Sequence, residues 1–186
     1  ETAKSNLQSL VRLSGTGNVF NVGAGLYQMT NASLTVTNYT LIVGTNRDEV
    51  VLQADAAVSS RVVTVYGPGS ELRALTLQGG YAAYNGGGVY GTTSNATLVS
   101  DCVVRSNYAL GLDTSTGGGG LYNVRADNCD IYANGSGDKG GGMASGSATN
   151  CRIFGNTAYR GGGAVYSYLT GCSIYGNEAT SGGGAY

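Results

Sequence analysis

Three consecutive glycines recur five times in the second half of this 186-residue chain, starting at Gly86, Gly118, Gly140, Gly161 and Gly182, and the spacing settles to 22, 21 and 21 residues. The four cysteines, Cys102, Cys129, Cys151 and Cys172, keep the same late steps of 22 and 21. Each is followed two residues on by Val104, Ile131, Ile153 or Ile174, and five residues on by Asn107, Asn134, Asn156 or Asn177. Before each stands Asp101, Asn128, Asn150 or Gly171. A period near 21 is too short for helix-pair repeats, and leucine-rich apolar stripes are missing. The local pattern is alternation. Cys and Ile at i and i+2 share one strand face, and Val103, Asp130, Arg152 and Ser173 between them face away. Asp, Asn and Gly tolerate a left-handed backbone, so the position before each cysteine reads as a tight bend, and the glycine triplets as another.

Short strands joined by such bends build an all-β, single-stranded, right-handed parallel β-helix, a three-sided solenoid whose coils stack at about 4.8 Å. Residues 86–186 give four regular coils. Residues 15–85 give two irregular ones, from apolar stretches at Val19–Val22, Leu34–Val36, Leu41–Val43, Val50–Leu52, Val62–Val65 and Leu72–Leu77 taken in threes. About six coils make a single domain roughly 30 Å long. Residues 1–14 are expected to cap the first coil. In Asn6–Leu13, Leu7, Leu10 and Val11 fall at helical spacing behind Ser5 or Asn6 as N-cap. Gly182–Tyr186 begins a seventh coil with no cap after it, so the parent polypeptide is expected to continue. A partner covering the open end, or self-association through it, is the alternative.

Composition narrows function by exclusion. With ten basic and eleven acidic side chains, net charge −1 and only 11% charged residues, the chain has no electrostatic case for nucleic acid. No apolar run approaches the ~18–20 residues that span a bilayer. Without histidine, Ser-His-Asp and Cys-His catalysis and the usual zinc sites are removed, and no metal is expected. The cysteines, identically placed in successive coils, read as a buried ladder of free thiols, with Cys102–Cys129 and Cys151–Cys172 disulfides as the alternative. The four asparagines read as inward amides bonding the coils above and below. Three positions after each cysteine come Arg105, Tyr132, Phe154 and Tyr175, an outward strip suited to a sugar ring or a protein partner, or to stacking on itself. Tyr90, Tyr122 and Tyr186 form a second strip, broken by Ala144 and Val165. The weak catalytic candidates are Asp127, Asp130 and Arg152; a surface ion pair between Asp130 and Arg152 explains these two adequately. Asn134–Asp138 reads as a loop, and the sequon asparagines Asn31, Asn38, Asn95 and Asn134 as turn residues.

Gly-Gly-Gly-x-Tyr at 86–90, 118–122 and 182–186, alternating with Cys-x-Ile-x-x-Asn at 129–134, 151–156 and 172–177, resembles the repeats of bacterial surface β-helices. The nearest group is the polymorphic outer-membrane protein family of autotransporter passengers, with Gly-Gly-Gly-Ala at 161–164 and 182–185 and Ile-x-x-Asn where that family carries Phe-x-x-Asn. Val19–Val22 followed by Gly25-Leu26-Tyr27 is similar to the opening coil of pectin-lyase-like β-helices. The resemblance implies an extracellular or outer-membrane passenger, structural or adhesive, whose partners are a glycan or a host or neighbouring cell-surface protein. A polysaccharide-active lyase, hydrolase or epimerase, the one reading in which calcium enters, is the alternative.

Overall fold

In the computed structural model, residues 7–8, 11, 17–112 and 117–186 are described. They form an all-β parallel solenoid of about six turns, as the repeat requires. Strands pair only with the equivalent strand one coil away, always parallel and in register. Val103 faces Asp130, Asp130 faces Arg152, and Arg152 faces Ser173.

Among the described residues these strands make four sheets rather than three. A regular coil runs through the first sheet (for example Arg125–Asp127), the second (Asp130–Tyr132), a short third (Gly135–Ser136) and the fourth (Met143–Ala144). From Glu71 onward each corner is turned by a residue with left-handed φ. Between the first and second sheets these are Ala74, Asp101, Asn128, Asn150 and Gly171, with φ of 53, 52, 51, 53 and 62°. The bend read before each cysteine is therefore the first corner. The corner between the second and third sheets is turned by Gly79, Ser106, Ala133, Gly155 and Gly176, and the next by the first glycine of each triplet. The expected single strand Leu72–Leu77 is instead two, Glu71–Arg73 and Thr76–Gln78, divided at Ala74. A strand not anticipated, Gly25–Gln28, completes the first coil.

The glycine triplets do three separate things. The first glycine supplies the left-handed φ. A Cβ on the second would sit 2.3 Å from the Thr157 carbonyl oxygen at Gly141, and 2.4 Å from that of Glu178 at Gly162. A Cβ on the third would meet the asparagine ladder, 3.1 Å from Nδ2 of Asn156 at Gly142.

The core is a set of axial rows. Ile42, Leu72, Val99, Ala126 and Ala148 line the first sheet; Leu52, Leu77, Val104, Ile131 and Ile153 the second; Val63, Val89, Leu121, Met143 and Ala164 the fourth, all buried. A buried side chain of Leu or Ile size contributes about 1.5–3 kcal/mol, so the rows add substantially to the cohesion between coils. Of the expected cap, Leu7, Gln8 and Val11 are helical, with Leu7 and Val11 in the core. Gln8 ties this segment to the first coil by donating to the Ala32 carbonyl and accepting from the Thr30 amide. Ser5, Asn6 and Leu10 lie outside the described residues.

Candidate functional site

The asparagine ladder fills the inside of the second corner and leaves nothing there for a ligand. Asn156 is fully buried, and its side chain makes four hydrogen bonds. Its Oδ1 accepts from the Asn134 backbone amide (3.0 Å) and from Asn134 Nδ2 (3.0 Å), and its Nδ2 donates to the Ile131 carbonyl (2.9 Å) and to Asn177 Oδ1 (2.9 Å). Asn134 and Asn107 repeat the scheme one and two coils earlier, the Oδ1 of Asn107 accepting from the Gly80 amide. Because Asn134 is held in this ladder, its sequon is inaccessible.

The cysteines occupy the inside of the first corner. Cys102, Cys129 and Cys151 are buried and Cys172 is half-buried; all four are free thiols. Their Sγ atoms donate to backbone carbonyls, Cys129 to Asp127 at 3.2 Å and to Val99 at 3.3 Å, while the Cys129 amide donates to Cys151 Sγ at 3.4 Å. The contact with Cys102 pushes the Cys129 thiol up; the contact with Cys129 does the same to Cys151, with burial adding to both, and burial raises Cys172.

Of the acidic candidates, Asp130 is covered. Arg152 Nε approaches its Oδ1 at 2.6 Å, and Arg47, from the connection between Leu41–Gly44 and Val50–Gln53, reaches its Oδ2 at 2.9 Å. Thr76 donates to the Arg47 carbonyl at 2.6 Å, so this connection lies over the outer row Thr76–Val103–Asp130 and buries residues that alternation turns outward. The ion pair expected between Asp130 and Arg152 is thus a three-membered clasp. Asp127, on the first sheet in register with Ser100 and Thr149, shares no partner with Asp130. Two guanidinium groups on the Asp130 carboxylate occupy both of its oxygens, which leaves it no free position toward a substrate. Among the described residues, no three His, Cys, Asp or Glu side chains gather in a metal-binding group.

The outer strip on the second sheet continues as Gln53, Gln78, Arg105, Tyr132, Phe154 and Tyr175. Tyr132 and Phe154 stack with centroids 4.9 Å apart and planes at 13°, Phe154 and Tyr175 at 5.0 Å and 3°. Parallel rings this close overlap face to face, so the strip offers ring edges and the Tyr132 and Tyr175 hydroxyls to the outside rather than a flat aromatic platform. Arg105 bridges from Gln78 Oε1 (3.0 Å) toward the Tyr132 hydroxyl (3.4 Å). Beside the strip, at the second corner, lies an open depression of about 390 Å³ lined by Ser106, Tyr108, Ala133, Gly135, Gly155 and Thr157 with the edges of Asn107 and Asn134. Arg105, Tyr132 and Phe154 directly precede the lining residues Ser106, Ala133 and Gly155, so strip and depression run side by side across three coils. The lining carries no charge. A Cβ placed on Gly155 meets nothing, which is why this floor is open. Sequence reasoning missed the depression, whose only signal is the small residue after each strip position.

The second tyrosine strip is partly realised: Tyr90 and Tyr122 stack at 5.6 Å, with the Arg61 guanidinium 4.6 Å above Tyr90. An unanticipated third pair, Tyr81 and Tyr108, stacks on the short third sheet at 5.7 Å. No protein-family model and no curated protein matches the chain.

Proposed function

We propose that this chain is a structural and adhesive β-helix module of a bacterial surface protein, working outside the cell as a stiff rod that meets a glycan or protein partner along its second-sheet face. One observation carries the reading: a depression with an uncharged lining that spans three coils, bordered by Arg105, by the Tyr132–Phe154 stack and by Tyr108. Uncharged hydroxyls, ring edges and exposed backbone suit a neutral, extended, hydroxyl-rich ligand held by many weak contacts. The inward polar rows are already committed to holding coils together, which leaves the outer rows as the surface free to vary. The likeness of the repeats to polymorphic outer-membrane passengers supports an exported setting.

The test is adherence to glycan-coated and cell surfaces by the chain and by two variants. Tyr132→Ala with Tyr175→Ala removes the outer hydroxyls and the stack. Ala133→Asn fills the depression at a left-handed position that Asn tolerates. Loss of adherence in both, with circular dichroism unchanged, supports the face. Adherence unchanged in both removes it.

A further inference from the structure

The four thiols stand in one axial line, each just before strand residues that pair in register, so neighbouring sulfurs are separated by about the strand spacing of 4.8 Å. That spacing is wrong for a disulfide, whose S–S bond is about 2.05 Å. It is right for something else. Two metal–thiolate bonds of about 2.3 Å laid end to end span about 4.6 Å. We propose that Cys151 and Cys172, the one adjacent pair that includes a rung open to entry, form a linear two-coordinate site for a soft cation.

Soft thiolates select soft cations, and two collinear ligands select ions that accept digonal geometry over tetrahedral zinc. The absence of histidine, which argues against three- and four-ligand centres, has no bearing on a site that needs two sulfurs. The surroundings choose the charge. Cys151 belongs to the same buried apolar core as Ala126, Ala148 and Ile153, and a divalent ion with two thiolates is neutral, whereas a monovalent ion leaves a net negative charge there. Mercuric ion therefore outranks silver(I). Cys172 is the most accessible of the four and provides entry. Binding breaks the two S–H bonds, forms two S–metal bonds and releases two protons; nothing is oxidised or reduced.

The test is titration of the reduced, metal-free chain with mercuric chloride, silver nitrate and zinc chloride. The expected result is one tightly bound mercuric ion with two protons released, sulfur-to-metal charge-transfer absorption, two sulfur neighbours by X-ray absorption, unchanged circular dichroism, weaker silver binding and no zinc binding. Cys151→Ala and Cys172→Ser should each abolish the two-sulfur signature, and Cys102→Ser should keep it. Cys172→Ser alters only a half-buried side chain, so it remains informative if Cys151→Ala misfolds. A two-sulfur signature persisting in Cys172→Ser, or mercuric binding only with loss of the native spectrum, overturns the site.

Discussion

Replacing Asn156 by alanine tests whether the amide ladder holds the coils together. The substitution deletes the acceptor for the Asn134 amide and for Asn134 Nδ2, and the donor to the Ile131 carbonyl and to Asn177 Oδ1. The site is fully buried, and the methyl group brings in no substitute. With a net value near 1 kcal/mol per hydrogen bond, and up to ~3 for a buried group left unpaired, four lost bonds cost about 4 kcal/mol or more. A solenoid is approximately a sum of coils and nearest-neighbour interfaces, so the loss concentrates where the coils of Asn134, Asn156 and Asn177 meet. Native-state hydrogen exchange is the assay, because it resolves that locality where a single melting curve does not. Amides of Gly135, Asn156 and Thr157 should lose protection by about three orders of magnitude, with amides around Ile42 and Leu72 nearly unchanged. Asn156→Asp should be as damaging at neutral pH, since a carboxylate donates nothing to Ile131 or Asn177, and partly relieved in acid. If Asn156→Ala exchanges within a factor of ten of the parent at those amides, the ladder is decoration and the cohesion lies in the apolar rows.

Three further outcomes follow from the same geometry. Gly142→Ala places a Cβ 2.5 Å from the Gly163 carbonyl and 3.1 Å from Asn156 Nδ2 and should cost several kcal/mol, whereas Gly155→Ala enters open space and pays only the left-handed backbone, about 1–2 kcal/mol; thermal melts of the two variants decide it, and equal losses refute the assignment of distinct roles. The thiols of Cys129, Cys151 and Cys172 have raised pKa values in the folded chain, so they bind protons more tightly folded than unfolded, and stability that is full below the unfolded thiol value of about 8.5 should fall as pH rises above it; urea titrations from pH 7 to 10 check this, and replacing Cys129 and Cys151 by alanine should flatten the slope. Arg47→Ala should loosen the cover over Thr76 and Val103 and weaken with added salt what remains at Asp130, read as faster exchange in those strands, and no change would mean the clasp contributes nothing.

The regular half of the solenoid was legible because the same residue types recur at the same places: a left-handed residue before each cysteine, an apolar residue two after, an amide five after. The second corner was not, because Ser106 and Ala133 are unremarkable residues in a left-handed conformation imposed by the coil around them, and without that corner the short third sheet has no signal. Ala74 hid the division of Leu72–Leu77 for the same reason. Arg47 and Asp130 lie 83 residues apart, beyond any local pattern, and meet only because a loop on one coil lies over the three that follow. Alternation placed Tyr132, Phe154 and Tyr175 outward correctly, but ring orientation depends on the 4.9–5.0 Å approach of the stacked pairs, which turns the faces toward each other. The residues that form the depression are recognisable only by the side chains they lack.

Early and late coils stack in one register, which puts Gln53 and Tyr175 on one outer line. Spin labels at Gln53→Cys and Tyr175→Cys, with Cys172 replaced by serine to keep labelling specific, measure that line by pulsed electron resonance. Five steps of about 4.8 Å give roughly 24 Å between the labelled backbones, with a narrow distribution broadened only by the label arms. A separation beyond about 40 Å, or a broad spread without a maximum, would contradict the stacked register and everything built on it.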